Sequence, residues 1–234
     1  MNSEGEMIDL TDKRAIIFDL DDTLYSRREA AKRTFPGMLR ELLYINRSEE
    51  FITEAVELMM SKVSRNSMVH EGVFSALTEA YPTDKPFSRE ACLDYYYEHI
   101  SEFAELFPGT RELLMQLRER GMKIGVLTNI TSARLYSQKM KIDALGLEAL
   151  ADDIIYSGEV GIHKPDRRLF DLAAERLGVK NEECVFVGDD PESDVRGALG
   201  ADMDVFFVDR FSDEGFFTGE PRVARIGSLN EILN

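Results

Sequence analysis

The sequence predicts an α/β fold: a parallel sheet with helices on both faces, interrupted early by an all-helical insertion. Three observations predict it. The first apolar run, Ala15-Ile16-Ile17-Phe18, has no polar alternation, the mark of a strand buried on both faces. From about residue 27 to residue 107 strand-like runs vanish and helical periodicity takes over. After Pro108-Gly109, short apolar runs and helical stretches alternate to the end of the chain, as parallel sheets require. The expected division is a core of residues 1–25 and 107–234 with a helical domain of residues 26–106 inserted in it.

In chain order, the strand at 15–18 runs straight into Asp19-Leu20-Asp21-Asp22-Thr23. The insertion should carry helices over 29–43, 49–64, 70–80 and 88–103, with Pro82 and Pro86 separating the last two. Met59 and Met60 are expected in its core, with at least one of Tyr95-Tyr96-Tyr97, since consecutive residues cannot share a helix face. Thr110 is expected to cap a helix over 111–120 that Gly121 ends. Then follow a strand at 123–127, a helix at 131–145, a strand at 154–156 and a helix at 166–177 closed by Gly178. A strand at 184–187, a helix near 193–199 and a strand at 205–208 complete the alternation. Residues 211–221 read as a loop whose Phe216-Phe217 pair packs locally or covers the site.

Composition narrows the function. The chain has 234 residues, 44% of them hydrophobic, enough for a substantial core. Its net charge of −16 argues against binding a nucleic acid polymer or an anionic membrane. No window approaches the roughly 18 apolar residues of a membrane span, and residues 1–14 lack an apolar signal segment. Cys92 and Cys184 form no CxxC pair and read as buried thiols of a reducing compartment. The expectation is a cytoplasmic protein, monomer or homodimer.

Polar residues fall where four strands end. They are Asp19-Leu20-Asp21-Asp22-Thr23, then Thr128-Asn129, then His163-Lys164-Pro165-Asp166, then Gly188-Asp189-Asp190-Pro191-Glu192-Ser193-Asp194. Ligand sites of open α/β sheets form at such ends. Two carboxylates two residues apart can divide phosphoryl transfer, one attacking phosphorus and the other moving a proton. A fixed hydroxyl and a lysine can hold the transferring oxygens, and a further aspartate can help bind a hard cation. Each signal alone is weak in a chain with 44 acidic residues. Four of them in one fixed order, each at a strand end, are not explained by chance. Asp22 should face away from Asp21 and serve the turn. His163, beside Lys164, is a candidate for substrate contact, whereas His70 and His99 form no metal cluster.

The order DxDxT, Thr, Lys, GDxxxxD resembles the haloacid dehalogenase-like hydrolases, in the branch with a helical cap after the first motif, from about Arg14 to Leu233. The Phe107-Pro108-Gly109 and His163-Lys164-Pro165-Asp166 flanks fit it, and residues 188–198 look closest to phosphoglycolate-phosphatase-like and nucleotidase-like members. The resemblance implies a Rossmann-like core with a cap, and a Mg²⁺-dependent phosphatase acting on a small phosphorylated metabolite through an aspartyl-phosphate. By the same resemblance, Asp19 is the nucleophile and a Mg²⁺ ligand. Asp21 is the acid–base residue and binds metal through its backbone carbonyl. Thr128, Asn129 and Lys164 hold phosphate, and Asp189 is a third metal ligand. Asp194 orients Lys164 or a metal-bound water. Asp190 reaches the metal through water or caps the next helix. An acid at Asp21 argues against carbon–halogen chemistry. The alternatives are a phosphosugar mutase on the same core and a non-catalytic interaction module.

Overall fold

The computed structural model describes residues 7–64, 68–209 and 219–233. The chain divides into two compact units, Met1–Ser26 with Leu106–Asn234, and Arg27–Glu105. The first strand, β1 (Ala15–Phe18), is fully buried along its length, as its unbroken apolar run requires.

The second unit is helical. Its first helix, α1 (Arg27–Met38), widens into a π-helical turn at Leu39–Leu43. It is followed by α2 (Glu49–Met60), α3 (Glu71–Ala80) and α4 (Arg89–His99), the last tightening into a 3₁₀ turn at Ile100–Phe103. Side chains set the starts. Ser48 accepts from the Phe51 amide and Ser88 from the Ala91 amide, each at 3.2 Å, and His70 Nδ1 accepts from the Gly72 amide at 3.1 Å. The expected starts at His70 and Ser88 are therefore caps, one residue outside the helix proper. On α2 the buried stripe is Ile52, Ala55, Val56, Met59 and Met60, at helical spacing. Of the three consecutive tyrosines, Tyr96 is buried.

The first unit continues with α5 (Thr110–Glu119), β2 (Lys123–Thr128), α6 (Leu135–Ala144), β3 (Asp153–Tyr156), the short α7 (Ser157–Val160) and α8 (Arg167–Leu177). Beyond these lie β4 (Cys184–Gly188), a π-helical turn at Pro191–Arg196, α9 (Gly197–Gly200), β5 (Asp204–Val208) and β6 (Val223–Ile226). The sheet order is β3-β2-β1-β4-β5-β6, and every pair is parallel. Helix α8 packs Leu169, Phe170, Ala173 and Leu177 into one cluster with Ile17, Leu127 and Phe186. The Phe170 and Phe186 rings meet edge-on at 5.2 Å. Burying each such ring contributes about 1.5–3 kcal/mol.

Three expectations are corrected. Thr110 does not cap α5; Gly109, left-handed at φ 81°, precedes the helix and Thr110 is its first residue. The helix expected near 193–199 starts as a π-helical turn. Strand β6 was not expected, because Val-Ala-Arg-Ile is short and carries a charge; as the sheet's edge it pairs only with β5. Phe216 and Phe217 lie outside the described residues. Among the described residues, no helix is long and apolar enough to cross a membrane.

Candidate active site

The sheet order explains the site. Strand β1 lies between β2 and β4, so the residues after these three strands are neighbours at one sheet edge. The Asp19 amide prolongs the ladder by donating to the Val187 carbonyl at 2.8 Å. Its carboxylate accepts from Lys164 Nζ at 2.6 Å, and the same ammonium donates to Asp194 at 2.7 Å. Carboxylate oxygens of Asp19, Asp189 and Asp194 all lie within 4.8 Å of one another. Asp19 and Lys164 are 7% and 5% exposed, and Asp189 and Asp194 are 4% and 1% exposed.

Such a cluster concentrates negative charge. The Lys164 ammonium meets Asp19 and Asp194 directly, Thr23 Oγ1 donates to Asp189 Oδ1 at 3.4 Å, and gathering three carboxylates away from water is costly. Burial pushes the Asp19 carboxyl well above the ordinary carboxylate range, against the pull of Lys164 and with help from Asp194 and Asp21. Burial works against the Lys164 charge, but Asp19 and Asp194 outweigh it and raise its pKa. Hard carboxylate oxygens with surplus negative charge suit a divalent cation such as Mg²⁺. Asp19, Asp189 and Asp194 together could hold one.

Asp194 does more than face Lys164. Its other oxygen accepts from the Asp189 and Asp190 amides, both at 3.1 Å. Asp190 caps the turn that follows, accepting from the Glu192 and Ser193 amides at 2.9 and 2.7 Å. Gly188 makes the approach possible, since a Cβ there would overlap the Asp194 carboxylate. Gly188→Ala is expected to displace Asp194, destabilise the fold by about 1–3 kcal/mol and lower kcat at least about tenfold. Urea denaturation and steady-state kinetics measure the two effects.

Asn129, expected on the phosphate, uses both ends of its amide on the Lys164 backbone. It donates to the Lys164 carbonyl at 3.1 Å and accepts from the Lys164 amide at 2.9 Å. Ser157 reinforces this junction by bonding the Ile130 backbone and His163 Nδ1, at 2.8 Å to the latter. Asn129→Ala leaves two main-chain groups of Lys164 without these partners. A loss of about 1–3 kcal/mol is expected in denaturant unfolding, with a rise in KM as Lys164 loosens. Thr128, at the end of β2, is fully buried.

Asp21 is held by residues that sequence reasoning missed. Tyr25 Oη donates to Asp21 Oδ1 at 2.5 Å, and Lys141 Nζ stands 2.6 Å from the same oxygen. Gln138 Nε2 donates to Asp21 Oδ2 at 2.8 Å and to Thr128 Oγ1 at 2.5 Å. The available signal was Gln138 and Lys141 three residues apart, one face of the helix after the second motif. Asp22 is buried and left-handed at φ 63°, turning the chain away from the strand.

The parallel sheet gathers acidic strand ends around two buried lysines, Lys164 against Asp19 and Lys141 against Asp21, an arrangement suited to phosphoryl transfer. The chain belongs to the haloacid dehalogenase-like hydrolase family, whose pattern matches residues 13–202. It is 32% identical over 194 residues to a glyceraldehyde 3-phosphate phosphatase of Methanopyrus kandleri, covering 81% of each chain. It is 31% identical over 205 residues to a ribulose-1,5-bisphosphate 5-phosphatase of Halopiger xanaduensis, covering 83% and 84%. Among solved structures, a magnesium-bound HAD-hydrolase of Bacillus subtilis has the same fold, with a TM-score of 0.72 at 21% identity over 94% and 96% of the two chains. The protein is an enzyme, a phosphoric monoester hydrolase of this family.

Proposed function

We propose that this enzyme is a Mg²⁺-dependent phosphatase that releases phosphate from a small phosphorylated metabolite through an aspartyl-phosphate at Asp19. The observation that carries the reading is the buried meeting of Asp19, Lys164, Asp194 and Asp189 beside Asp21. The Asp19 carboxylate attacks phosphorus, and Asp21 gives a proton to the departing ester oxygen. Asp21 then takes a proton from water as that water hydrolyses the acyl phosphate, which frees Asp19 and inorganic phosphate. Lys164 and the Thr128 hydroxyl hold the phosphoryl oxygens, and Asn129 fixes Lys164 through its backbone. Asp19, Asp189 and the Asp21 carbonyl would hold Mg²⁺, which when bound would supply the positive charge that lets an anionic nucleophile approach an anionic phosphate. Asp190 shapes the loop that carries Asp189.

The inserted helical unit is the proposed selector of the leaving group. The relatives' activities make triose and pentose phosphates the first candidates. A reducing, cytoplasmic setting is supported by two buried free thiols, with burial pushing Cys92 up to about 11 and Cys184 up to about 12. The test is phosphate release over a panel of sugar phosphates, phosphoglycolate and nucleoside monophosphates with Mg²⁺, with product isomers also followed. Release from at least one ester is expected. A panel without release sinks the reading, and isomers without free phosphate indicate a mutase.

A further inference from the structure

Lysine 141 is 4% exposed and Gln138 fully buried, an unusual fate for two polar side chains on one helix. A buried ammonium is tolerated only against a counter-charge, and here it lies 2.6 Å from Asp21 Oδ1. Gln138 offers two amide hydrogens, and both are spent, one on Asp21 Oδ2 and one on Thr128 Oγ1. Its Oε1 is buried without a hydrogen-bond partner among the described residues. An orphaned buried acceptor costs about 1–3 kcal/mol, so packing alone does not account for a glutamine here. Each Asp21 oxygen thus meets a donor from α6, and Tyr25 adds a third donor from the first-motif loop.

We infer that Lys141 and Gln138 are positioning residues for the reaction, fixing the plane and direction of the Asp21 carboxyl while Gln138 ties that carboxyl to Thr128. The inference deepens the phosphatase reading and rests on it. Three donors on two oxygens restrict rotation of the group, so the carboxyl oxygen that takes up or releases the proton keeps one direction. The Thr128 oxygen accepts from Gln138, which leaves its own hydrogen to be donated to the phosphoryl group. One helix face therefore aligns the proton carrier and the phosphate-binding hydroxyl together. A 1 Å displacement of such a group is sufficient for about a hundredfold loss.

The experiment compares wild type, Lys141→Met, Lys141→Arg, Gln138→Leu and Asp21→Asn in single-turnover phosphorylation. It uses p-nitrophenyl phosphate, whose leaving group needs little protonation, and the alkyl phosphate ester turned over best by wild type. Lys141→Met should lose at least about thirtyfold with the alkyl ester and under about threefold in the p-nitrophenol burst, the pattern of Asp21→Asn, whereas Gln138→Leu, which also releases Thr128, should lose with both esters and at least about tenfold more with the alkyl one. Lys141→Arg should recover part of the loss. In an Asp21→Asn background Lys141→Met should not lower the rate further, because residues acting as a unit are not additive. Equal losses with both esters in either single variant, no loss, or an additive loss from Lys141→Met in the double variant would overturn the inference. If Lys141→Met fails to fold, the Gln138→Leu comparison decides. A wild type inactive on every ester would instead overturn the phosphatase reading itself.

Discussion

Replacing Asp19 by Asn is expected to abolish phosphate release while making the metal-free protein more stable. The loss should reach at least about 10⁴-fold in kcat, the scale on which a covalent enzyme feels removal of its nucleophile or its base. No acid-stable, alkali-labile phosphate should remain on the protein after quenching with substrate. The stability gain follows from charge. In the folded, metal-free state Asp19 is buried among Asp194, Asp21 and a single close lysine, and its pKa lies above the unfolded value. A raised carboxyl favours folding at low pH, and that contribution fades as pH climbs from the ordinary carboxylate range toward neutrality. Asparagine removes the burdened charge, whereas Lys164 keeps Asp194 as a partner at 2.7 Å. The variant should therefore exceed wild type by about 1–2 kcal/mol at pH 8 in chelator, with a smaller margin at pH 5. Urea denaturation at the two pH values measures it, and a variant no more stable than wild type at either would contradict this account of the cluster.

Chelation of divalent metal should have the second large effect. With EDTA, turnover is expected to disappear, and excess Mg²⁺ should restore it. The same surplus of carboxylates predicts a thermal shift without catalysis. At a Mg²⁺ concentration one hundred times its Kd, binding to the folded state alone adds about 2.7 kcal/mol. The shift should be larger at pH 8 than at pH 5, because protons compete for Asp19 at the lower pH. It should shrink in Asp189→Asn, which removes a charge from the group of three without touching the Lys164 bonds. Beryllium fluoride with Mg²⁺ should raise the midpoint further in wild type but not in Asp19→Asn. A protein that turns over fully in EDTA would remove the metal from the reading.

What could be read from the sequence was whatever local chemistry dictates. The unbroken apolar run at 15–18 implied burial on both faces, and β1 is central in the sheet. Alternation after residue 107 implied parallel strands, and all the pairs are parallel. Residues at strand ends were legible because sheet order makes sequence-distant loops neighbours. What was not legible depends on tertiary direction. A threonine after a glycine looks like a cap until the glycine's left-handed backbone is known. The first turn after Asp190 is π-helical because Asp194 and Val195 amides both reach the Asp190 carbonyl, at 3.0 and 3.1 Å. The resemblance placed Asn129 at the phosphate without saying what its side chain does, and that side chain reaches a backbone thirty-five residues on. The spacing of Gln138 and Lys141 put them on one helix face, but polar residues on a helix are usually solvated, and only the fold shows that this face is buried.

The Asn129 clamp also gives the site a reporter. The amide hydrogen of Lys164 is bonded to a side chain and not to a strand or helix. Its exchange with solvent deuterium is therefore set by opening of this junction, at a free energy below that of the β1 and β4 amides, which need the whole sheet to separate. A single backbone resonance would then follow the loops of the second and third motifs as they loosen or tighten in the intact protein.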